Sequence, residues 1–324
     1  MPKAMKYHPH GSVLFCTFSL EEGLLLLANP LCKAIVKTCL ARAAKLYRVR
    51  ICHYIVSTTH IHLILVVINP DDVQAFMRHF KTDSAHMINR LLGRAKRTVW
   101  CSGYDSPVVL SSVRALAAIA YLYANPAKDN LETSIDNYPG MSSWRMFRTG
   151  QTTRRWKRLY RDQFSFIPRD AHNLRGYTKR AQDLLAASKE DQVFTIEPNA
   201  WLEAFGYRDP EEQERINKRL VARVRLLEER AEKLRIKNKK RVIGRERLNN
   251  QVLDTTYRPK RKGRKMWCLA ERRSLRLPFI RFFTELMRKA RAVRERWKFG
   301  DFSVPYPPGL HPPSMPKLAN VIGR

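Results

Sequence analysis

Two short stretches of this chain carry residues able to do chemistry at a phosphate. The first is His60-Ile61-His62, at the head of the apolar run from His60 to Ile68. Alternate residues of a strand point to one face, so both imidazoles would project from the same surface, about 7 Å apart at Cα, while Ile61, Leu63 and Leu65 take the other. Two neutral imidazoles on an exposed, rigid face can share a divalent ion. The same pair can also be a half-buried packing pair under a helix. The second stretch is Tyr121-Leu122-Tyr123-Ala124-Asn125-Pro126. On a helix Tyr121 and Asn125 are four apart and share a face. A phenol and an amide oxygen so placed can flank one metal-bound phosphate, and tyrosine is a competent nucleophile toward phosphorus once deprotonated or aligned by a metal. Tyr123 diverges from Tyr121 by about 200°, so only one of the two can hold that position. The alternative is that both rings simply pack on a helix rich in Val, Leu, Ile and Ala.

The elements that would position these residues are legible. Gly11 to Leu20 is rich in β-branched and aromatic residues and reads as a strand. Pro30 to Arg48 has helical spacing of its apolar residues. Val49 to Val56 and His60 to Ile68 form a hairpin about Ser57-Thr58-Thr59. Asn69-Pro70-Asp71-Asp72 opens a long helix to about Leu92, with acids where the helix dipole favours them. Pro107 to Leu110 reads as a fourth strand, and Ser111-Ser112 caps a helix expected to stop at Asn125, before Pro126. The order β-α-β-β-α-β predicts an α+β, ferredoxin-like split βαβ core. Its four-stranded antiparallel sheet would carry helices on one face, with one helix appended. His8-Pro9-His10 reads as an unstructured lead-in.

Taken together, these pieces resemble the HUH-endonuclease transposases, and within them the REP-associated tyrosine transposase group. The resemblance rests on His60-Ile61-His62 in an apolar strand, followed roughly 60 residues later by a helix ending Tyr121-x-x-x-Asn125-Pro126. Gly11 to Thr17, Val99-Trp100 and Tyr138-Pro139-Gly140-Met141-Ser142-Ser143 support it, over about residues 1–145. It implies His60 and His62 as metal ligands, Asn125 as a polar third ligand, and Tyr121 as the nucleophile. It also implies cleavage and rejoining of single-stranded, hairpin-forming DNA through a 5′-phosphotyrosine and a free 3′-OH. One departure concerns the turn: Thr58-Thr59 stands where the group usually has Pro-Asn or Pro-Glu. The cation expected is Mg²⁺ or Mn²⁺, with the histidines favouring tolerance of Mn²⁺. No Gly-x-x-x-x-Gly-Lys-Ser/Thr loop occurs, as befits chemistry whose covalent intermediate stores the phosphodiester energy.

Composition agrees with a polyanionic partner. The 324 residues carry 61 Lys+Arg against 29 Asp+Glu, a formal net charge of +32. Residues 1–150 hold +9 of it and residues 151–324 the remaining +23. A chain so basic is expected to meet nucleic acid or an acidic surface. No stretch approaches the ~18 apolar residues needed to span a bilayer, and the first ten residues lack the apolar core of an export signal. A cytoplasmic, nucleoid-associated protein is the expectation. Six cysteines with no Cys-x-x-Cys pair read as reduced core thiols.

The chain divides near Gly150 into a catalytic region, 1–150, expected to fold alone, and a basic, mostly helical extension, 151–324. Within the extension, Arg154, Arg155, Trp156, Lys157, Arg158, Tyr160 and Arg161 mix cations with aromatics and are candidates for DNA contact. A helix from Glu211 to about Lys240 has an apolar seam at 216, 220, 224, 227, 231 and 234, which admits a homodimer or a protein partner. A basic connector (238–265), a helix from Pro278 to Phe299 and a proline-rich tail (304–316) follow. Two other functions fit the charge. One is a domesticated or inactive DNA-binding protein, against which stands the presence of all four candidate site residues. The other is an RNA-binding module, which would stack bases on its first and third strands, where only Phe15 and Phe18 are aromatic.

Overall fold

The computed structural model describes residues 6–95, 97–167, 173–250, 266–312 and 315. Residues 251–265 of the expected connector, and residues 313, 314 and 316 of the tail, lie outside the described residues. The first part of the chain runs β1 (Val13–Ser19), α1 (Pro30–Leu46), β2 (Val49–Val56), β3 (His60–Val67), α2 (Pro70–Leu91), β4 (Val108–Val109), α3 (Ser112–Lys128), β5 (Met141–Ser142) and α4 (Trp144–Thr149). The remainder runs β6 (Thr153–Lys157), α5 (Leu174–Ala187), β7 (Asp191–Thr195), α6 (Ala200–Ala204), α7 (Pro210–Lys237), α8 (Arg245–Asn249), β8 (Cys268–Leu269) and α9 (Arg273–Lys298).

The fold is α+β. The strand order β5-β2-β3-β1-β4-β8 contains the ferredoxin-like arrangement β2-β3-β1-β4, antiparallel throughout and with β1 and β3 central. Two short strands extend it: β5 pairs antiparallel with β2, and β8 pairs parallel with β4. The helices start where the local chemistry directs. Asn29 and Asn69 accept the Leu31 and Asp71 amides, and a proline follows each cap.

Helices cover both faces of the sheet, not one. β3 is buried along both sides from Ile61 to Val67, and an apolar strand with two dry faces needs two layers over it. Leu14, Cys16, Phe18, Ile61, Leu63 and Leu65 face α1 and α2. Val13, Ile64 and Val66 face α3 and, beyond it, α6 and α7.

Two prolines lie inside helices that were expected to end or begin at them. α3 continues past Pro126 to Lys128, and α9 starts at Arg273, ahead of Pro278. Each ring removes one bond only, to the Leu122 and Ser274 carbonyls respectively, and each sits near a helix end where a lost bond disturbs few neighbours.

Packing runs across residue 150. β6 and β7 pair and lie against α1, and α7 lies along α3. Leu220, Val224 and Ala231 of the α7 seam are buried, Ile216 and Leu227 are partly so, and Leu234 is exposed. The seam is therefore covered by α3 of the same chain. Nor is the N-terminal lead-in loose. His8 is buried, its Nε2 lies 3.0 Å from Ser106 Oγ, and Tyr7 bridges to Leu310. The six cysteines are free thiols, five of them buried. No helix among the described residues is long and apolar enough to cross a membrane.

Candidate active site

The two histidines enter from β3 on the α3 side of the sheet. Their ring centroids are 4.6 Å apart with planes at 75°, so the strand does bring them together. His62 pairs in register with Thr17 of β1, whose hydroxyl hydrogen-bonds His62 Nδ1 at 2.8 Å. His60 Nδ1 meets the Thr59 hydroxyl at 3.1 Å. With Nδ1 engaged, His62 Nε2 is left buried and without a partner among the described residues. The face is not exposed as the alternation suggested. His62 is only 6% exposed, with Phe15 stacked on it at 5.1 Å and 16°. A central strand lies under the facing helix, so its residues are dry on both sides. Burial pushes His60 down to about 4 and His62 well below the ordinary imidazole range, with His60 and Lys128 adding to the shift at His62. Both rings are thus held neutral at physiological pH, with lone pairs available.

α3 supplies the rest. The Ser111 hydroxyl caps it by accepting the Arg114 amide. Tyr121 is 40% exposed, and its ring stands 6.1 Å from His62 and 6.4 Å from Phe15, edge to face with both. One turn on, Asn125 is buried and its Oδ1 has no partner among the described residues. Lys128 Nζ lies 3.6 Å from the centroid of the Tyr121 ring. Burial, and then the Asp129 charge, hold the Tyr121 phenol above its usual range. Burial also raises the Asp129 carboxyl, against the opposing pull of Lys128.

Tyr123 does something different. It is fully buried, and its hydroxyl is 2.7 Å from His53 Nδ1 and 2.7 Å from Ser143 Oγ. The Ser143 hydroxyl also accepts the Tyr54 amide at 2.8 Å, while Tyr138 donates to the Val56 carbonyl at 2.9 Å. The Tyr138 to Ser143 segment thereby sews β5 to the edge of β2. Gly140 is required there, because a Cβ at that position would run into the Tyr138 ring.

The donor set suits a divalent cation. Among the described residues no group of three His, Cys, Asp or Glu could hold a metal. However, two neutral imidazoles and an amide oxygen with no partner among the described residues remain, and an orphaned buried polar atom is costly. Histidine nitrogens with one oxygen fit Mn²⁺ and, less selectively, Mg²⁺.

The 154–161 cluster is not brought to this site. It lies with the α1 layer, on the other side of the sheet. Trp156 stacks on Phe194 at 4.4 Å and 14°. Lys157 pairs with Asp191 at 3.1 Å, and Arg158 pairs with Glu190 at 2.8 Å. Tyr160 donates to the Glu190 carboxylate. Arg154 is half-buried, and Arg155 and Arg161 are exposed.

Sequence reasoning missed Thr17, Phe15, Lys128 and Asp129. Lys128 had a signal: it is seven residues past Tyr121, hence on the same face of any helix that runs through Pro126. Ending the helix at Asn125 concealed it. Thr17 and Phe15 had no signal, since cross-strand register is not written locally.

A sequence comparison matches residues 26–125 to the family model described as transposase IS200-like. Among solved structures, one described as a REP-associated tyrosine transposase bound to a REP hairpin aligns at 17% identity with a TM-score of 0.41, covering 46% of this chain and 86% of that one. No curated protein matches. Over residues 26–125, which hold His60, His62, Tyr121 and Asn125, this chain is similar to the IS200-like transposases, and the family resemblance read from its His-Ile-His strand and Tyr-x-x-x-Asn-Pro helix holds.

Proposed function

We propose that this protein is a DNA transposase that cuts and rejoins single-stranded, hairpin-forming DNA, with Tyr121 as nucleophile and His60, His62 and Asn125 holding a divalent cation. The observation that carries the reading is the partnerless, buried Nε2 of a neutral His62 beside the half-exposed ring of Tyr121, 6.1 Å between centroids.

Thr17 holds His62 by Nδ1 and so presents Nε2 to the site. Bound Mg²⁺ or Mn²⁺ supplies Lewis-acid polarisation of the scissile phosphate. Tyr121 is the one member of the group with substantial exposure, so its hydroxyl can meet a strand lying across α3. Tyr121 Oη forms a bond to phosphorus, and the bond from phosphorus to the 3′ oxygen breaks. The phenol gives up its proton, and the departing 3′ oxygen gains one. Attack of a 3′-OH on the phosphotyrosine reverses this balance and rejoins a strand. Burial and the Asp129 charge oppose loss of the phenolic proton, while the Lys128 ammonium stands over the ring beside the hydroxyl's site of attack.

The test is metal-dependent nicking of a single-stranded hairpin oligonucleotide, with the covalent adduct resolved on a denaturing gel. Wild-type protein forms the adduct and Tyr121→Phe does not. Binding without any adduct, in Mg²⁺ or Mn²⁺, would leave the protein a DNA binder with an inactive fold.

A further inference from the structure

Beyond the sheet edge lies a cavity that the chemistry above does not use. It measures about 570 Å³ and is lined by Arg114 of α3, Trp267 and Leu269 of the β8 strand region, and Arg276, Leu277 and Ile280 of α9. Trp267 is 40% exposed and Met266 beside it is 54% exposed, so a large aromatic surface faces solvent there. One edge of the indole is braced by Phe283 at 5.1 Å and 71°. Arg114 Nε is buried and has no partner among the described residues. Glu271 stands beside Arg114 and Arg272; its carboxylate accepts from the Ser111 hydroxyl and is held below its usual range by that bond first and by Arg272 and Arg114 last. Arg114 and Arg272 thus stand beside that carboxylate, while Arg276 lines the cavity with Arg114.

The cavity is aligned with Tyr121. Arg114 and Tyr121 are seven residues apart on α3, two turns, and differ by about 20° around the axis. Ala117 lies on the same stripe between them and is only partly buried, so α3 itself places no bulky side chain there. Lys128 continues the stripe seven residues beyond Tyr121. The separation along the axis from Arg114 to Tyr121 is about 10 Å, or roughly three stacked nucleotides at 3.4 Å each.

We infer that this cavity is a binding site for unpaired nucleotides about three positions from the phosphate that Tyr121 attacks. The Trp267 indole stacks on a base, and Arg114 and Arg276 take the adjoining phosphates. An aromatic face with cations on both sides is the combination that grips single strands irrespective of sequence. An apolar ligand alone would leave the arginines unmatched, and a duplex would offer no free base to the indole. The inference rests on the proposed function for its direction along α3, but its test is separable from catalysis.

The experiment uses the full-length Tyr121→Phe protein, so that no adduct forms. Affinity is compared between a hairpin carrying single-stranded flanks on both sides and the same hairpin without them. 2-Aminopurine is placed in turn at each of the first five flank positions. The expected result is quenching at one or two positions near the third nucleotide, and tighter binding of the flanked hairpin. Adding Trp267→Ala removes the quenching and weakens binding of the flanked hairpin about tenfold, the loss of roughly one stacked base. Arg114→Gln or Arg276→Gln lowers the salt dependence of flanked-hairpin binding by about 0.7 each in log–log slope. Trp267→Phe, which keeps a stacking ring, restores most of the affinity. Should Trp267→Ala lose its fold by circular dichroism, the quenching pattern and the two arginine variants still decide. An absence of quenching at every position, or equal loss of affinity for both hairpins in all variants, overturns the site. Failure of wild-type protein to form an adduct while the quenching pattern holds would instead overturn the catalytic reading and leave this site standing.

Discussion

The rings of His62 and Tyr121 stand 6.1 Å apart at 73°, one carried by the central strand β3 and the other by the helix that crosses it. Fifty-nine residues of sequence separate them, and neither is oriented by its immediate neighbours. Thr17 from a third element fixes the His62 ring, and Lys128 sits over the Tyr121 ring. The pairing of a partnerless imidazole nitrogen with a half-exposed phenol is what distinguishes this spot from the rest of the core.

The two tyrosines of α3 should separate cleanly on mutation. Tyr121→Phe is expected to abolish the protein–DNA adduct and leave thermal stability unchanged, because the hydroxyl bonds nothing within the described residues. Tyr123→Phe strips a buried hydroxyl shared by His53 and Ser143 and should cost about 1–2 kcal/mol. Denaturant melts read beside the denaturing gel check both. An adduct that survives Tyr121→Phe and vanishes in Tyr123→Phe identifies the wrong tyrosine.

Removing either imidazole should abolish metal-dependent nicking. His60→Ala is the cleaner variant, since His60 is half-buried. His62→Ala also deprives Phe15 of its stacking partner and should cost some stability. Isothermal titration with Mn²⁺ provides a readout independent of DNA. Unaltered Mn²⁺ binding in both variants would remove the histidines from the site.

Lys128→Met retains the length of the stem and removes the charge over Tyr121. Adduct formation should slow by about tenfold, given the ~0.5–2 kcal/mol range of such contacts, and hairpin affinity should fall less. The ratio of single-turnover rate to affinity in the two proteins measures this directly. A parallel fall in both would make Lys128 a phosphate contact and no more.

A chain ended at Gly150 is expected to lose cooperative unfolding, contrary to what closure of the four-stranded core suggests. It would uncover the α3 surface on which Leu220 and Val224 pack, and the pocket holding the fully buried Trp201. In the full chain Trp201→Ala should cost about 3–5 kcal/mol. Calorimetry of the truncated and mutated proteins tests the pair of statements, and a sharp transition in the truncated chain would refute the first.

Lys33 offers a pH test of the packing against α8. Burial, with Lys37 and Arg245 nearby, pulls its amine down to about 8, and it donates to the Pro139 carbonyl and Asn249 Oδ1. The unfolded chain holds that proton to about 10.4, so between pH 8 and 10.4 unfolding takes up a proton and the contribution of Lys33 to stability rises with pH. Lys33→Met should flatten the rise by on the order of 1–2 kcal/mol relative to wild type. Identical pH profiles for the two proteins would contradict it.

Much of the site was determined by the sequence itself, and for simple geometric reasons. The period of a strand puts His60 and His62 on one face, and the pitch of a helix puts Tyr121 over Asn125. The caps at Asn29, Asn69 and Ser111 are written in two or three adjacent residues, which is why α1, α2 and α3 begin where the sequence places them. Other features depend on residues far apart in the chain. The Thr17–His62 bond requires the β1–β3 register, which is set by the packing of both faces and not by either strand alone. That the histidines are buried follows from α3 lying on the face opposite α1 and α2, a choice made by the two-sided apolarity of β3. Passage of α3 through Pro126 depends on packing around one lost hydrogen bond, and it alone brings Lys128 to Tyr121. The α7 seam is legible as an apolar stripe, but a stripe does not name its partner; the tertiary structure gives it to α3. Local periodicity thus sets which residues share a surface, and long-range packing decides which surfaces meet.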